Sequence, residues 1–214
     1  MFKGIKAVIF DMDGTLIDSM GVWAEIDRVF LKKRQIPMPD DILKNIEGMS
    51  FTETAYYFKE RFNLAENVEE IAKEWIEMSK EYYQDYIPLK KGAKELVVKL
   101  FKNGIKIGLG TSGQQQLVQA SLKKHGLESY FQSVRTSCEV GRGKPYPDIF
   151  LKVAEDLQVK PEECLVFEDT IAGIKAARQA GMRVIAVFDN HSLPHMDRIS
   201  ELSDGYIVNF KGIA

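Results

Sequence analysis

Ile5-Lys6-Ala7-Val8-Ile9-Phe10 runs directly into Asp11-Met12-Asp13-Gly14-Thr15-Leu16. A short apolar run closed by a glycine-containing turn reads as a buried strand. This one ends in two carboxylates separated by a single residue. Paired negative charge at the end of a buried strand is unfavourable unless a cation or a substrate offsets it. A calcium loop of the EF-hand type needs its glycine in sixth place after a helix, whereas Gly14 is fourth and follows a strand. The turn therefore reads as a reactive site.

The rest of the chain is ordinary in bulk. It has 214 residues, 45% apolar and 28% charged, as expected of a globular enzyme. Twenty-nine basic residues against 31 acidic ones give a net charge of -2 and no basic patch for nucleic acid. No apolar run reaches the length of a membrane span, and the first residues enter a strand rather than a signal peptide. Cys138 and Cys164 match neither a ligand spacing nor a disulfide framework. Both flank strand-like runs and are expected to be buried free thiols, in a cytoplasmic, monomeric protein.

After the first strand the pattern turns helical. Val22, Trp23, Ile26, Val29 and Phe30 give one apolar face over 18–34. Pro37 and Pro39 interrupt it, and Ser50 with Glu53 forms a capping box opening a helix to about Phe62. Val68, Ile71, Trp75, Met78, Tyr82 and Tyr86 mark a further amphipathic helix over 67–87, with Trp75, Tyr82 and Tyr86 as its core stripe and no role for Tyr83. From residue 92 onward helices alternate with short strands at 105–109, 133–136, 164–167, 183–187 and 206–208. Such alternation implies a parallel sheet covered on both faces. The expected architecture is an α/β, Rossmann-like core of residues 1–15 and 91–214, with an all-helical cap of residues 16–90 inserted directly after the Asp11/Asp13 turn.

Ligands of open parallel sheets bind beyond the carboxyl ends of the strands. Those ends carry Asp11 and Asp13, then Thr111-Ser112-Gly113, then Gly143-Lys144-Pro145, then Glu168-Asp169. Carboxylates suit a hard cation such as Mg²⁺. A hydroxyl, backbone amides and an ammonium suit phosphate oxygens. His125 reads as a helix C-terminal charge, and His191 and His195 have no partner at metal-ligand spacing.

In these residues the chain resembles the haloacid dehalogenase superfamily of phosphatases, in the β-phosphoglucomutase-like branch with a small helical cap. Asp11-x-Asp13-Gly14-Thr15, Thr111, Lys144-Pro145 and Glu168-Asp169 match its four motifs in order. Lys144 to Phe150 and Phe167 to Ile174 are also typical of that branch. The resemblance implies Asp11 as a nucleophile that forms an aspartyl-phosphate and Asp13 as the general acid and base. It implies Mg²⁺ held by Asp11, the backbone carbonyl of Asp13 and Asp169, with Glu168 either a further ligand or a partner of the ligands. Thr111 and Lys144 would bind the phosphoryl group, helped by amides around Gly14, Ser112 and Gly113.

The resemblance also implies that mutases of the branch carry a histidine near Trp23 and an arginine near Phe51. The aromatic residues found there favour hydrolysis of a small phosphomonoester, such as a sugar or polyol phosphate, over a phosphosugar mutase, and make Trp23 and Phe51 candidates to face substrate. A non-catalytic phosphoacceptor module also combines carboxylates, a hydroxyl, a lysine and Mg²⁺. Such modules lack the Asp13-Gly14-Thr15 sequence and the helical insertion.

Overall fold

A computed structural model of the chain describes residues 1–213. Strand β1 (Ala7–Phe10) is followed by four helices, α1 (Met20–Lys33), α2 (Ile42–Ile46), α3 (Phe51–Phe62) and α4 (Val68–Glu81). The alternating part then runs α5 (Ala93–Lys102), β2 (Lys106–Thr111), α6 (Gln115–His125), β3 (Ser133–Thr136), α7 (Ser137–Val140) and α8 (Asp148–Leu157). It closes with β4 (Cys164–Glu168), α9 (Ile171–Gln179), β5 (Arg183–Val187), α10 (Met196–Leu202) and β6 (Tyr206–Ile207).

The six strands form one parallel sheet in the order β3-β2-β1-β4-β5-β6. This is the α/β, Rossmann-like arrangement. Strand β1 is interior and buried on both faces because its side chains alternate between two cores. Val8 and Phe10 join Leu96, Leu109 and Leu117 on one side; Ala7 and Ile9 join Phe150, Val153 and Ile174 on the other. In register, Phe10 lies opposite Leu109 of β2 and Phe167 of β4. That register brings Asp11, Thr111 and Glu168 to the same edge of the sheet.

Between β1 and β2 the helices α1 to α4 gather around a separate core that includes Ile26, Phe30, Phe58, Ile71 and Trp75. The two connections to the sheet pair with each other. Ile17 bridges Leu89, the Asp18 amide donates to the Pro88 carbonyl at 3.0 Å, and that of Lys90 to Leu16 at 2.9 Å. Both predicted capping signals at the start of α3 are present, with Ser50 and Glu53 bonding each other's backbone amides.

Three expectations need correction. The helix α4 passes into one turn of π-helix, Tyr82–Tyr86. Its buried side chains are Ile71, Trp75, Ser79 and Tyr83, every fourth residue. Tyr82 and Tyr86 are exposed and Tyr83 is the core residue. A period of four lies between that of the α-helix and that of the π-helix, so a 3.6-residue template drifts off the buried face in the last turn. Cys138 is exposed and only Cys164 is buried, because Cys138 lies on the short helix α7 rather than on a strand. Finally, β2 extends to Thr111, which ends the strand instead of following it. Among the described residues no helix is long and apolar enough to cross a membrane.

Candidate active site

Asp11 is the first residue past β1, fixed by its amide, which donates to the Phe167 carbonyl at 3.0 Å. The carbonyl of Met12 accepts from the amides of Thr15, Leu16 and Ile17. This folds the turn tightly and sets Asp13 beside Asp11. Gly14 has φ +82°, and a Cβ there would stand 2.2 Å from Oδ2 of Asp169. Only glycine permits both that backbone and that approach. On the far side, Gly173 begins α9 so near Glu168 that a Cβ would lie 2.1 Å from its Oε1.

The sheet edge assembles the predicted side chains in one place. Lys144 Nζ lies 2.6 Å from Oδ1 of Asp11 and 3.3 Å from Oε2 of Glu168, all three buried. Thr170 donates to Glu168 at 2.8 Å, and Thr15 donates to Oδ1 of Asp169 at 2.9 Å. Asp11, Glu168 and Asp169 each offer a carboxylate oxygen within 4.8 Å of one another. Oδ2 of Asp169 is buried and has no hydrogen-bond partner. An orphaned carboxylate oxygen in a set of three hard donors fits a divalent cation of the Mg²⁺ type.

The electrostatics follow from that crowding. Burial pushes the carboxyl of Asp11 up from its usual value, and the Lys144 ammonium opposes the rise. Glu168 is pushed up to about 7 by burial, again opposed by Lys144. Asp169 is raised further by burial and by the charges of Glu168 and Asp11. Burial alone would lower Lys144, but the carboxylates around it win and hold it protonated.

Asp13 belongs to a different network. Its Oδ1 accepts from Ser19 Oγ at 2.6 Å and from the phenol of Tyr83. Trp23 Nε1 in turn donates to the Tyr83 oxygen at 2.7 Å. Ser19 is the N-cap residue of α1 but makes no side-chain cap bond; its hydroxyl donates to Asp13 instead. Burial raises the Asp13 carboxyl; Ser19 and Tyr83 pull it back, and Asp11 adds to the rise. Tyr83 is the residue the sequence pattern missed. The signal that could have found it was the fourfold spacing from Ile71.

Thr111 is buried, and its Oγ1 accepts the amide of Gly113 at 3.0 Å. The Thr111 hydroxyl proton stays available for an anion. Of the amides around Gly14, Ser112 and Gly113 expected to help hold the phosphoryl group, those of Gly14 and Gly113 have partners within the protein. Gly14 donates its N–H to the Ile17 carbonyl at 3.0 Å and Gly113 donates to Thr111. Ser112 instead faces the helical segment: its carbonyl accepts from the Phe51 amide and its hydroxyl reaches the Gly48 carbonyl at 3.4 Å.

A cavity of about 410 Å³ joins these groups to the helical segment. Asp11, Asp13, Thr111, Lys144, Glu168 and Asp169 form its floor, and Trp23, Phe51 and Trp75 line its roof. The roof aromatics pack edge to face, with centroids 5.8 Å apart for Trp23 and Phe51 and 5.6 Å for Phe51 and Trp75. The loop at Glu47–Glu53 closes on the sheet through Glu47 to the Ala172 amide at 3.0 Å and Glu53 to the Gly143 amide at 3.1 Å. His191 and His195 stand at the rim, with His191 Nδ1 3.2 Å from Asp189 Oδ1.

A buried acid triad, a lysine and a hydroxyl at the carboxyl edge of a parallel sheet define a hydrolase of the α/β class with a roofed site. The family model for haloacid dehalogenase-like hydrolases matches residues 8–187, and the chain belongs to that family. It is 32% identical over 181 residues to a phosphorylated carbohydrates phosphatase of Thermotoga maritima, covering 85% of this chain and 84% of the relative. Hexitol phosphatase A of Escherichia coli is 32% identical over 197 residues, covering 91% and 88%. The crystal structure of a β-phosphoglucomutase from Clostridium difficile superposes with a TM-score of 0.81 at 24% identity, covering 98% of this chain and 93% of that one. The protein is an enzyme of this hydrolase family, and the two sequence relatives given above are phosphatases.

Proposed function

We propose that the protein is a phosphatase that hydrolyses a small phosphomonoester with a sugar or polyol leaving group, through an aspartyl-phosphate on Asp11. The observation that carries this reading is the meeting of Asp11, Asp13, Thr111, Lys144 and the Glu168-Asp169 pair on the floor of a single roofed cavity. The two phosphatase relatives support the leaving-group class.

Lys144 and Thr111 bind the phosphoryl oxygens and hold phosphorus in line with the Asp11 carboxylate. Lys144 also opposes the rise that burial gives the Asp11 carboxyl, and so favours its ionised form. As the Asp11 oxygen bonds to phosphorus, the bond to the leaving oxygen breaks and Asp13 delivers its proton to that oxygen. Asp13 is then a carboxylate, stabilised by the hydroxyls of Ser19 and Tyr83. It takes a proton from water, which attacks the phosphorus and releases Asp11. Asp11, Glu168, Asp169 and the backbone carbonyl of Asp13 would hold Mg²⁺. When bound, the ion supplies positive charge that offsets the repulsion between a carboxylate nucleophile and a phosphate dianion.

Residues 16–90 act in this reading as a cap whose paired linkers at Ile17 and Leu89 carry it over the floor. The mutase alternative is disfavoured because Trp23, whose indole N–H only donates and here donates to Tyr83, offers no base to a sugar hydroxyl. A panel of phosphorylated sugars and polyols, scored for phosphate release and for isomer formation, tests the reading. Phosphate release with a phosphoryl adduct trapped on the Asp11 peptide is the expected result. Isomer formation without net phosphate release would overturn it.

A further inference from the structure

The inner face of α1 carries one residue that its packing does not explain. Asp27 lies one turn beyond Trp23, between Ile26 and Phe30, and is 5% exposed. It makes no hydrogen bond or ion pair with any described residue. Three cations near it in the chain are paired elsewhere: Arg28 holds Glu25, Lys33 holds Glu74, and Arg34 holds Glu66 and Glu74. A buried carboxylate without a partner costs stability and contributes nothing to the fold. Burial alone pushes its carboxyl up to about 7.

Asp27 lines the same cavity as Asp11 and Lys144, on the roof side with Trp23, Trp75 and Lys44. The polar groups of that wall are mixed in kind. Asp27 accepts. Thr54 has its proton committed to the Ser50 carbonyl at 3.0 Å and also accepts. Lys44 donates. An ammonium could satisfy the acceptors only. A chain of hydroxyls both donates and accepts, and its C–H faces suit the aromatic rings of Trp23 and Trp75.

We infer that Asp27 is the specificity-determining residue of this site, reading the hydroxyl groups of a polyhydroxylated leaving group by accepting their hydrogen bonds. The inference rests on the phosphatase reading above and deepens it. The phosphoryl group sits on the sheet edge, and the carbon chain rises along α1 toward Asp27.

The only two tryptophans of the chain are Trp23 and Trp75, and both line the cavity. Tryptophan fluorescence of the full chain therefore reports binding without turnover. The non-hydrolysable phosphonate isostere of glucitol 6-phosphate and inorganic phosphate are titrated in the presence of Mg²⁺ against wild type and Asp27→Asn, with thermal melting in parallel. Wild type should prefer the polyol phosphonate, and Asp27→Asn should reduce that preference about tenfold, the loss of one hydrogen bond to a charged group. The variant should melt no lower than wild type, because it relieves an unpaired buried carboxyl. An unchanged preference, or an equal weakening of both ligands, would overturn the assignment. Failure of wild type to bind inorganic phosphate would instead sink the phosphatase reading on which it rests. A drop in melting temperature with an unchanged preference would make Asp27 structural.

Discussion

The phenol of Tyr83 donates its proton to Oδ1 of Asp13, joining the π-turn after α4 to the reactive turn after β1 across 70 residues of chain. Ser19 adds a second donor to the same oxygen. The helical segment thus reaches the carboxylate to which the proposed mechanism gives the acid and base roles, and does more than cover it.

Removing that phenol has a defined sign. The Tyr83 hydrogen bond stabilises the carboxylate form of Asp13 and opposes the rise caused by burial. In Tyr83→Phe the Asp13 carboxyl should therefore rise further and stay protonated to higher pH. The alkaline limb of kcat should move to higher pH, while kcat at its optimum falls about tenfold through looser positioning. A pH–rate profile of the variant checks both. A limb that moves to lower pH would contradict the network.

Asp169 predicts how the cation couples to stability. Its Oδ2 is buried without a partner, among the charges of Asp11 and Glu168. Asp169→Asn removes one charge from a like-charged set, so the metal-free protein should gain a few degrees in melting temperature. Added Mg²⁺ should raise the melting temperature of wild type by mass action and raise that of the variant much less. Melting curves with EDTA and with excess Mg²⁺ give this result independently of turnover. Equal Mg²⁺ shifts in both proteins would remove Asp169 from the ion's ligands.

Gly173→Ala sets two effects against each other. Alanine gains about 1 kcal/mol of helix propensity over glycine in α9. Its Cβ would lie 2.1 Å from Glu168 Oε1, a buried oxygen already bonded to Thr170. Glu168 is held by Thr170 and Lys144, bonds that a retreat would break, so the steric effect wins. The expected outcome is a net destabilisation of about 1–3 kcal/mol by denaturant unfolding, together with a loss of kcat/KM. An alanine variant more stable than wild type would show that Glu168 can move.

What could be read from the chain and what could not divides along physical lines. Strand β1 and its acidic turn were legible because a buried strand has a local pattern and because Asp11, Asp13 and Gly14 are contiguous. Thr111, Lys144 and Asp169 were legible because a parallel sheet delivers every strand end to one edge, so topology brings together residues far apart in sequence. Tyr83 was not, because a π-turn changes the helical period at the place where the side chain matters. The engagement of the Gly14 and Gly113 amides was hidden too, since it depends on how tightly each turn closes. Asp27 carries no local signal in the sequence. Only the positions of its neighbours show that no described residue answers it.

Asp27 also predicts how stability depends on pH. Its carboxyl rises from an ordinary 3.8 to about 7 on folding, through burial. Below pH 4 the group is protonated in both the folded and unfolded chain and has no effect. Between pH 4 and 7 the unfolded chain has released the proton and the folded chain retains it, so the unfolded state is favoured increasingly as pH rises. Above pH 7 both are ionised and the penalty is constant, at most about 4 kcal/mol at 1.36 kcal/mol per pH unit. Asp27→Asn lacks this titration. Unfolding free energies of the two proteins should therefore coincide near pH 4, diverge up to pH 7 in favour of the variant, and then run parallel. Taking the difference cancels the other buried carboxylates, which both proteins share. A gap that closes as pH rises would show that a cation of the protein reaches Asp27 after all.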